Sequence, residues 1–216
     1  MIELAPQLFG MTLEYRFLKS RAFSKAQLDS LLDRLIDSEN GLALRPEQIR
    51  VRNTDLAFDY DLKAIFLGSN AVVISDSEKV YLGISGGRND ADAKLVRETA
   101  KRFLWAMEVS ENEIGNFTVN MHAKAESAEK REQFLNGFRL GKEIVAPGAL
   151  GYVRVPNWME EIRFLIESSI GTTDSLFMHW STRVHGGSWL PSLEDLTALL
   201  ESVAVIFGVG FKPNTQ

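Results

Sequence analysis

The chain has 216 residues, of which 45% are hydrophobic and 25% are charged, values typical of a folded globular protein and not of a disordered chain or a coiled coil. Its 29 acidic residues outnumber its 24 lysines and arginines, and the resulting net charge of -5 disfavours non-specific binding to nucleic acid. The absence of cysteine excludes a disulfide framework, a thiolate zinc site and a cysteine nucleophile.

The sequence carries no sign of a membrane segment or of an export signal. No stretch approaches the roughly 18 consecutive apolar residues that a membrane span requires. Residues 1–10 lack the basic start and the long apolar stretch of a signal peptide. We therefore predict a cytoplasmic protein that has no membrane partner.

The first elements along the chain are a predicted strand and a predicted helix. From Thr12 onward, apolar residues over 13–17 alternate with polar ones, as in a strand with one buried face. Ser24 and Gln27 have the spacing of a capping box at the start of a helix. Over 28–36, leucines and an isoleucine recur at three- and four-residue spacings, which places them on one face of that helix.

Residues 56–84 are predicted to form an antiparallel meander, because short polar turns separate successive apolar runs. A second helix is predicted over 95–107. The link between them contains the glycines of positions 83, 86 and 87 with Arg88 close by, and amides at a helix start can bind phosphate. This link lacks the lysine of a P-loop and the spacing of a dinucleotide motif, so a simple turn is the competing interpretation.

The second half of the chain follows a similar order. A strand is predicted over 117–121, a helix around Phe134, strands over 154–184, and a last helix over 193–207. After the helix around Phe134, glycines and a proline are concentrated in residues 137–151, which predicts a long irregular loop there.

These elements predict an α+β fold made of two architecturally similar units. Each unit is a strand, a helix, an antiparallel meander and a helix, with the helices packed on one face of a sheet. The polar stretch 110–115 separates the units, so the predicted boundaries are 1–110 and 116–216. A single compact domain with a shared sheet is the alternative arrangement.

The strand 176–185 is the best candidate for a binding or catalytic surface. Its apolar residues alternate with polar ones, which places His179, Arg183 and His185 on the same face. On the functional interpretation, the histidines titrate near neutral pH and Arg183 binds an anion. On the structural interpretation, this face is merely the solvated side of a half-buried strand.

More specific chemistry finds little support in the sequence. A serine hydrolase would need Ser181 on a strained turn between glycines, and the chain has a tryptophan and a threonine beside it. The histidines are His122, His179 and His185, and their spacing matches no zinc motif. We therefore predict no metal and no cofactor.

The four tryptophans divide into two predicted groups. Trp105 and Trp180 belong to apolar stripes and are predicted to lie in the core. Trp158 and Trp189 lie beside glycine, proline and asparagine in predicted loops, where they are candidates either for binding a partner or for covering the end of the sheet.

Two hypotheses about function follow. The first is a non-enzymatic module that binds another protein, such as an immunity-type inhibitor that neutralises a basic toxin in bacteria. The alternative is an enzyme or a binder of a small anionic ligand that uses the polar face of the strand 176–185. A deep pocket at His179 and Arg183 would favour chemistry, whereas a flat acidic face rimmed by Trp158 or Trp189 would favour a protein partner. A homodimer that covers the exposed sheet face is a further expectation.

Overall fold

The computed structural model describes residues 1–21, 24–53, 60–88, 90–139, 147–155, 158, 160–170, 174–186 and 193–212. This part of the chain contains four α-helices, ten β-strands and one turn of 3-10 helix, Pro46–Gln48. In chain order the helices and strands are β1 (Ile2–Arg16), α1 (Lys25–Ile36), β2 (Ile49–Asn53), β3 (Tyr60–Phe66), β4 (Ala71–Asp76), β5 (Lys79–Gly87), α2 (Asp90–Ala106), β6 (Ile114–Ala125), α3 (Ala128–Asn136), β7 (Gly148–Val153), β8 (Ile162–Ser168), β9 (Ser175–His185), α4 (Leu193–Ile206) and β10 (Val209–Phe211).

All the described strands belong to one sheet, in the order β2-β3-β4-β5-β1-β6-β9-β8-β7. Every pairing along this order is antiparallel, and β10 pairs in parallel with the start of β1. The long strands β1 and β6 lie at the centre and pair from Leu4 opposite Ala125 to Tyr15 opposite Gly115. Both halves of the chain therefore contribute to a single continuous sheet.

The helices cover one face of this sheet, which confirms the predicted α+β class. Buried and exposed residues alternate strictly along β3, because successive side chains of a strand point to opposite faces. The buried residues of the strands form one cluster with buried residues of the helices, including Leu31, Phe103, Leu135 and Val203. The two units' similarity and their boundaries, 1–110 and 116–216, stay predictions.

The first helix begins as predicted. The backbone N–H of Ser24 donates to Oε1 of Gln27 at 2.9 Å, and the N–H of Gln27 donates back to the Ser24 hydroxyl at 3.4 Å. This capping box satisfies two N–H groups that a helix start leaves without partners. None of the helices in the described part of the chain has the length and hydrophobicity needed to cross a membrane.

Strand β1 is longer than predicted, since it begins at Ile2 and not at Thr12. Its pairing with β6 shifts register between Pro6 and Leu8, and the resulting irregularity breaks the simple alternation of buried and exposed side chains. A proline in the segment also weakens a sequence-based prediction of a strand.

One further prediction about secondary structure is wrong. The irregular loop predicted over 137–151 already contains the start of β7, which pairs with β8 from Gly148 onward. The short strand β10 was not predicted, and it pairs with the first residues of β1.

The prediction that both Trp105 and Trp180 lie in the core holds for only one of them. Trp180 is 2% exposed, whereas Trp105 is 44% exposed. Phe103 and Leu104 lie on the buried stripe of α2, and Trp105 is one residue, or about 100° of helical rotation, beyond Leu104. Trp105 therefore turns away from the sheet.

Candidate functional site

The side of the sheet opposite the helices, here called the open face, carries a row of polar side chains. Thr12 of β1 is paired with Thr118 of β6, Thr118 with Ser181 of β9, and Ser181 with Arg163 of β8. Directly opposed residues in antiparallel strands have their side chains on the same face. The row therefore crosses the sheet at right angles to its strands.

A cavity of about 1150 Å³ lies on this open face over β6, β9 and β8 and is open to solvent. The described residues between β7 and β8, at 154–155, 158 and 160–161, form one of its walls. We name it the arginine cavity, after Arg154, Arg163 and Arg183. Its other lining residues are Asn116, Thr118, Tyr152, Val155, Trp158, Glu160, Glu161, His179, Ser181 and Thr182.

The structure brings three of the five predicted site residues together. His179, Arg183 and Trp158 all line the arginine cavity. His185 lies farther along β9, with its Nε2 3.3 Å from Oε1 of Glu160. Trp189 lies outside the described residues.

A hydrogen bond to the neighbouring strand holds the imidazole of His179. Its Nδ1 lies 2.7 Å from Oδ1 of Asn120, the residue directly opposite on β6. Burial lowers the pKa of His179, and the positive charge of Arg163 lowers it further. A neutral imidazole that donates from Nδ1 to the Asn120 carbonyl oxygen keeps Nε2 as a hydrogen-bond acceptor.

The arginines of the cavity differ in their partners. Arg154 is paired with Glu161, with its Nη2 2.9 Å from Oε1. Arg163 and Arg183 form no ion pair with any residue that the structure describes. They lie diagonally across the β8–β9 pair, a position that corresponds to about 7–8 Å between Cα atoms. Two cationic groups are therefore available on one side of the cavity.

Hydroxyl groups lie beside these arginines. Ser181 is directly opposite Arg163 on one side and Thr118 on the other. Neither hydroxyl has a hydrogen-bond partner among the described residues. Guanidinium groups with adjacent hydroxyl donors form a set suited to a carboxylate or a phosphate.

Trp158 is anchored at the edge of the cavity. Its Nε1 donates to the hydroxyl of Thr182 at 3.1 Å, and that hydroxyl donates to the carbonyl oxygen of Glu161 at 3.1 Å. The ring is partly buried against the hydrophobic core. These contacts place Trp158 and Glu161 against the end of β9.

The arrangement offers little for nucleophilic or metal chemistry. Within the described residues, His179 bonds to Asn120 and not to Ser181, so Ser181 has no base that could activate it. The same part of the chain holds no group of three or more histidine, aspartate or glutamate residues that could bind a metal ion. The geometry suits the recognition of an anion better than covalent chemistry.

Sequence reasoning missed Arg163 and Asn120. In β8 the polar Arg163 alternates with buried Ile162 and Phe164, and in β6 Asn120 alternates with Val119 and Met121. This alternation places each residue on the polar face of its own strand. Only the pairing of the strands shows that both residues lie on the same face of the sheet as His179.

A comparison of the chain with protein-family models finds no matching family. A comparison with curated proteins finds no similar sequence. The function is therefore inferred from the chemistry of the arginine cavity.

Proposed function

We propose that this protein binds a small anionic molecule in the arginine cavity. The observation that carries the proposal is the position of Arg163 and Arg183, which flank Ser181 and have no acidic partner among the described residues. Guanidinium groups that point into a hollow bind carboxylates and phosphates through charge-assisted hydrogen bonds. The neutral His179 adds an acceptor for a hydroxyl group of the ligand or for a protonated anion.

The shape of the surface also favours a small ligand. His179 and Arg183 both line a hollow and not a flat surface. A hollow is typical of a small-ligand site, whereas a protein interface is usually flat. The charge of the cavity also favours an anionic ligand, because among its described lining residues three arginines outnumber two glutamates. One of those glutamates is paired with Arg154 and the other lies beside His185.

Isothermal titration calorimetry tests this proposal with inorganic phosphate, inorganic diphosphate and citrate. We expect at least one of these anions to bind, and we expect Arg163→Gln and Arg183→Gln each to weaken that binding by about 10- to 100-fold. Hydrogen bonds to charged groups contribute about 1.5–3 kcal/mol, and 1.4 kcal/mol corresponds to a tenfold change in affinity.

The matched control is Arg50→Gln. Arg50 is an exposed arginine on β2, paired with Lys63 far from the arginine cavity. This variant should bind the anion as the unmodified chain does. If none of the three anions binds, or if Arg183→Gln and Arg50→Gln have equal effects, the proposal is wrong.

A protein partner is the second candidate function. Leu150 and Tyr152 of the edge strand β7 are 53% and 68% exposed. They project from the open face beside Leu165 and Arg163 of β8, and Tyr152 also lines the cavity near Trp158. Exposed tyrosine and tryptophan are typical of the residues that dominate protein interfaces.

An immunity-type partner is tested by co-purification of the tagged chain with its bound proteins. A specific partner should be lost in Tyr152→Ala and retained in Tyr81→Phe, a second tyrosine of the open face. The excess of arginine at this surface favours an acidic partner over a basic toxin. A partner retained equally by both variants would place the interface elsewhere.

A homodimer that covers the open face stays a prediction. Sedimentation analysis of the chain in solution measures its mass directly. A dimer that dissociates in Tyr152→Ala would support this arrangement, because Tyr152 is the most exposed aromatic residue described on the open face.

A further inference from the structure

A second cavity, of about 350 Å³, lies on the same open face over β1, β4 and β5. We name it the glycine cavity, because Gly10 and Gly83 form part of its lining. The described lining residues include no aspartate, glutamate, lysine or arginine. This surface is therefore suited to an uncharged group, in contrast to the arginine cavity.

The floor of the glycine cavity is aromatic, because the ring of Tyr81 occupies the space above Gly83. The ring of Tyr81 lies over Gly83, where a Cβ atom would be only 2.7 Å from the tyrosine hydroxyl. Burial raises the pKa of Tyr81, so the hydroxyl stays protonated and able to donate at neutral pH. A planar ring of a ligand can stack on such a surface.

The side-chain carboxamide of Asn70 places a hydrogen-bond donor and an acceptor at the edge of the glycine cavity. Asn70 is exposed in the turn before β4 and lines the glycine cavity. Its side-chain amide has no hydrogen-bond partner among the described residues, whereas its backbone carbonyl accepts from the N–H of Ser85 at 2.8 Å. A carboxamide offers one donor and one acceptor side by side, the pattern that asparagine uses to bind the edge of adenine.

The two cavities are neighbours. Thr12 lines the glycine cavity and is directly opposite Thr118, which lines the arginine cavity. Asn120 lines the glycine cavity and bonds to His179, which lines the arginine cavity. Together the cavities follow one row of side chains across the sheet.

The length of this row sets the length of a ligand that would fill it. Gly83 and Ser181 are three strand spacings apart, through Thr12 and Thr118. At roughly 4.8 Å for each spacing, this separation is about 14 Å. A ligand with its anionic group at Ser181 and its ring over Gly83 would therefore need an extended linker between the two.

We propose that the two cavities form one binding site for a nucleoside polyphosphate, with the phosphates at Arg163 and Arg183 and the base over Tyr81 and Asn70. The phosphate half of this inference rests on the proposed function. A single phosphate attached to the ribose is too close to the base to reach both cavities, whereas two or more phosphates supply the extension. The base supplies the planar, uncharged, hydrogen-bonding ring that the glycine cavity suits.

Calorimetry on the full chain tests the inference with ADP, GDP, UDP and inorganic diphosphate as probes. At least one of the nucleoside diphosphates should bind tenfold or more tightly than inorganic diphosphate. The corresponding monophosphate should bind more weakly than the diphosphate. Asn70→Ala and Tyr81→Leu should remove the advantage of the nucleoside diphosphate and leave the affinity for inorganic diphosphate unchanged.

The control variant is Asn136→Ala, which replaces an exposed asparagine at the end of α3 and should leave every affinity unchanged. Thermal unfolding of each variant shows whether it is folded. If every nucleoside diphosphate binds no more tightly than inorganic diphosphate, and both depend on Arg183, the inference is overturned and the anion site remains. If Arg183→Gln leaves the affinity for every probe unchanged, the proposed function and the inference are both wrong.

Discussion

The hydroxyl of Tyr15 donates a hydrogen bond of 3.0 Å to the carbonyl oxygen of Gly186, a residue 171 positions later in the chain. The Tyr15 side chain is fully buried. Its ring also lies over Gly115, the residue opposite it on β6. One side chain of the first half of the chain therefore contacts the start of β6 and the end of β9 in the second half.

Tyr15→Phe should lower the free energy of unfolding by about 1–3 kcal/mol, because it leaves the buried carbonyl of Gly186 without its donor. Urea unfolding followed by tryptophan fluorescence measures the change. Tyr152→Phe, at a tyrosine that is 68% exposed, is the control and should change stability little. Equal effects of the two substitutions would contradict a structural role for the Tyr15 hydrogen bond.

Gly115→Ala should destabilise the protein through crowding. A Cβ atom there would lie 2.7 Å from the ring of Tyr15 and 2.8 Å from the carbonyl oxygen of Glu14, and the backbone oxygen has little freedom to move. Overpacking of this kind costs about 1–3 kcal/mol. Gly137→Ala is the comparison, since Gly137 has a helical φ of -60° and its nearest contact would be 3.1 Å. A smaller loss at Gly115 than at Gly137 would refute this account.

Stability should fall between pH 10 and pH 12 because of Tyr60. Burial raises the pKa of Tyr60 from 10.0 to about 12, although its hydrogen bond with Ser75 opposes the shift. Its hydroxyl also donates to the carbonyl oxygen of Asp76 at 2.6 Å. Between these pH values the folded state keeps a proton that the unfolded state releases. The contribution of Tyr60 to the free energy of unfolding is therefore complete below pH 10 and is lost as the pH rises through 12.

The expected loss from Tyr60 is up to about 2–3 kcal/mol, at 1.36 kcal/mol for each pH unit of difference. Urea unfolding at pH 9, 10, 11 and 12 measures it in the unmodified chain and in Tyr60→Phe. The variant should be less stable at pH 9 and should show a shallower decline above pH 10. Parallel declines in the two proteins would show that Tyr60 does not titrate as stated.

His179 should take up its proton at a lower pH than an unfolded histidine, whose pKa is 6.5. Because the pKa is lowered in the folded state, the contribution of neutral His179 to stability is complete above pH 6.5 and is lost as the pH falls through the folded pKa. Nuclear magnetic resonance of the three histidines during a pH titration measures each midpoint. Arg163→Gln should raise the midpoint of His179, because it removes a nearby positive charge.

The control for that titration is Arg50→Gln, which removes the same charge from the distant strand β2. This substitution should leave the midpoint of His179 unchanged. A midpoint that moves equally in both variants would mean that Arg163 has no particular influence on His179.

The sequence predicted the helices and most strands because their patterns are local. The capping pair Ser24 and Gln27 marked the start of α1, and the alternation in β9 correctly placed His179 and Arg183 opposite the buried Trp180. Local patterns failed where a bulge or proline broke the alternation, as at Pro6 in β1. The 44% exposure of Trp105 shows the same limit, because an apolar residue beside a helical stripe looks like part of it.

By itself, the sequence determined which residues of a strand share a face, since that depends only on the two-residue period of the strand. The tertiary structure alone decided which strands are neighbours and in what register they pair. Those pairings place Asn120 opposite His179 and Arg163 opposite Ser181, although each pair joins different strands of the chain. A shift of one residue in either pairing would move these side chains to the other face, so the arginine cavity depends on long-range register that local sequence does not encode.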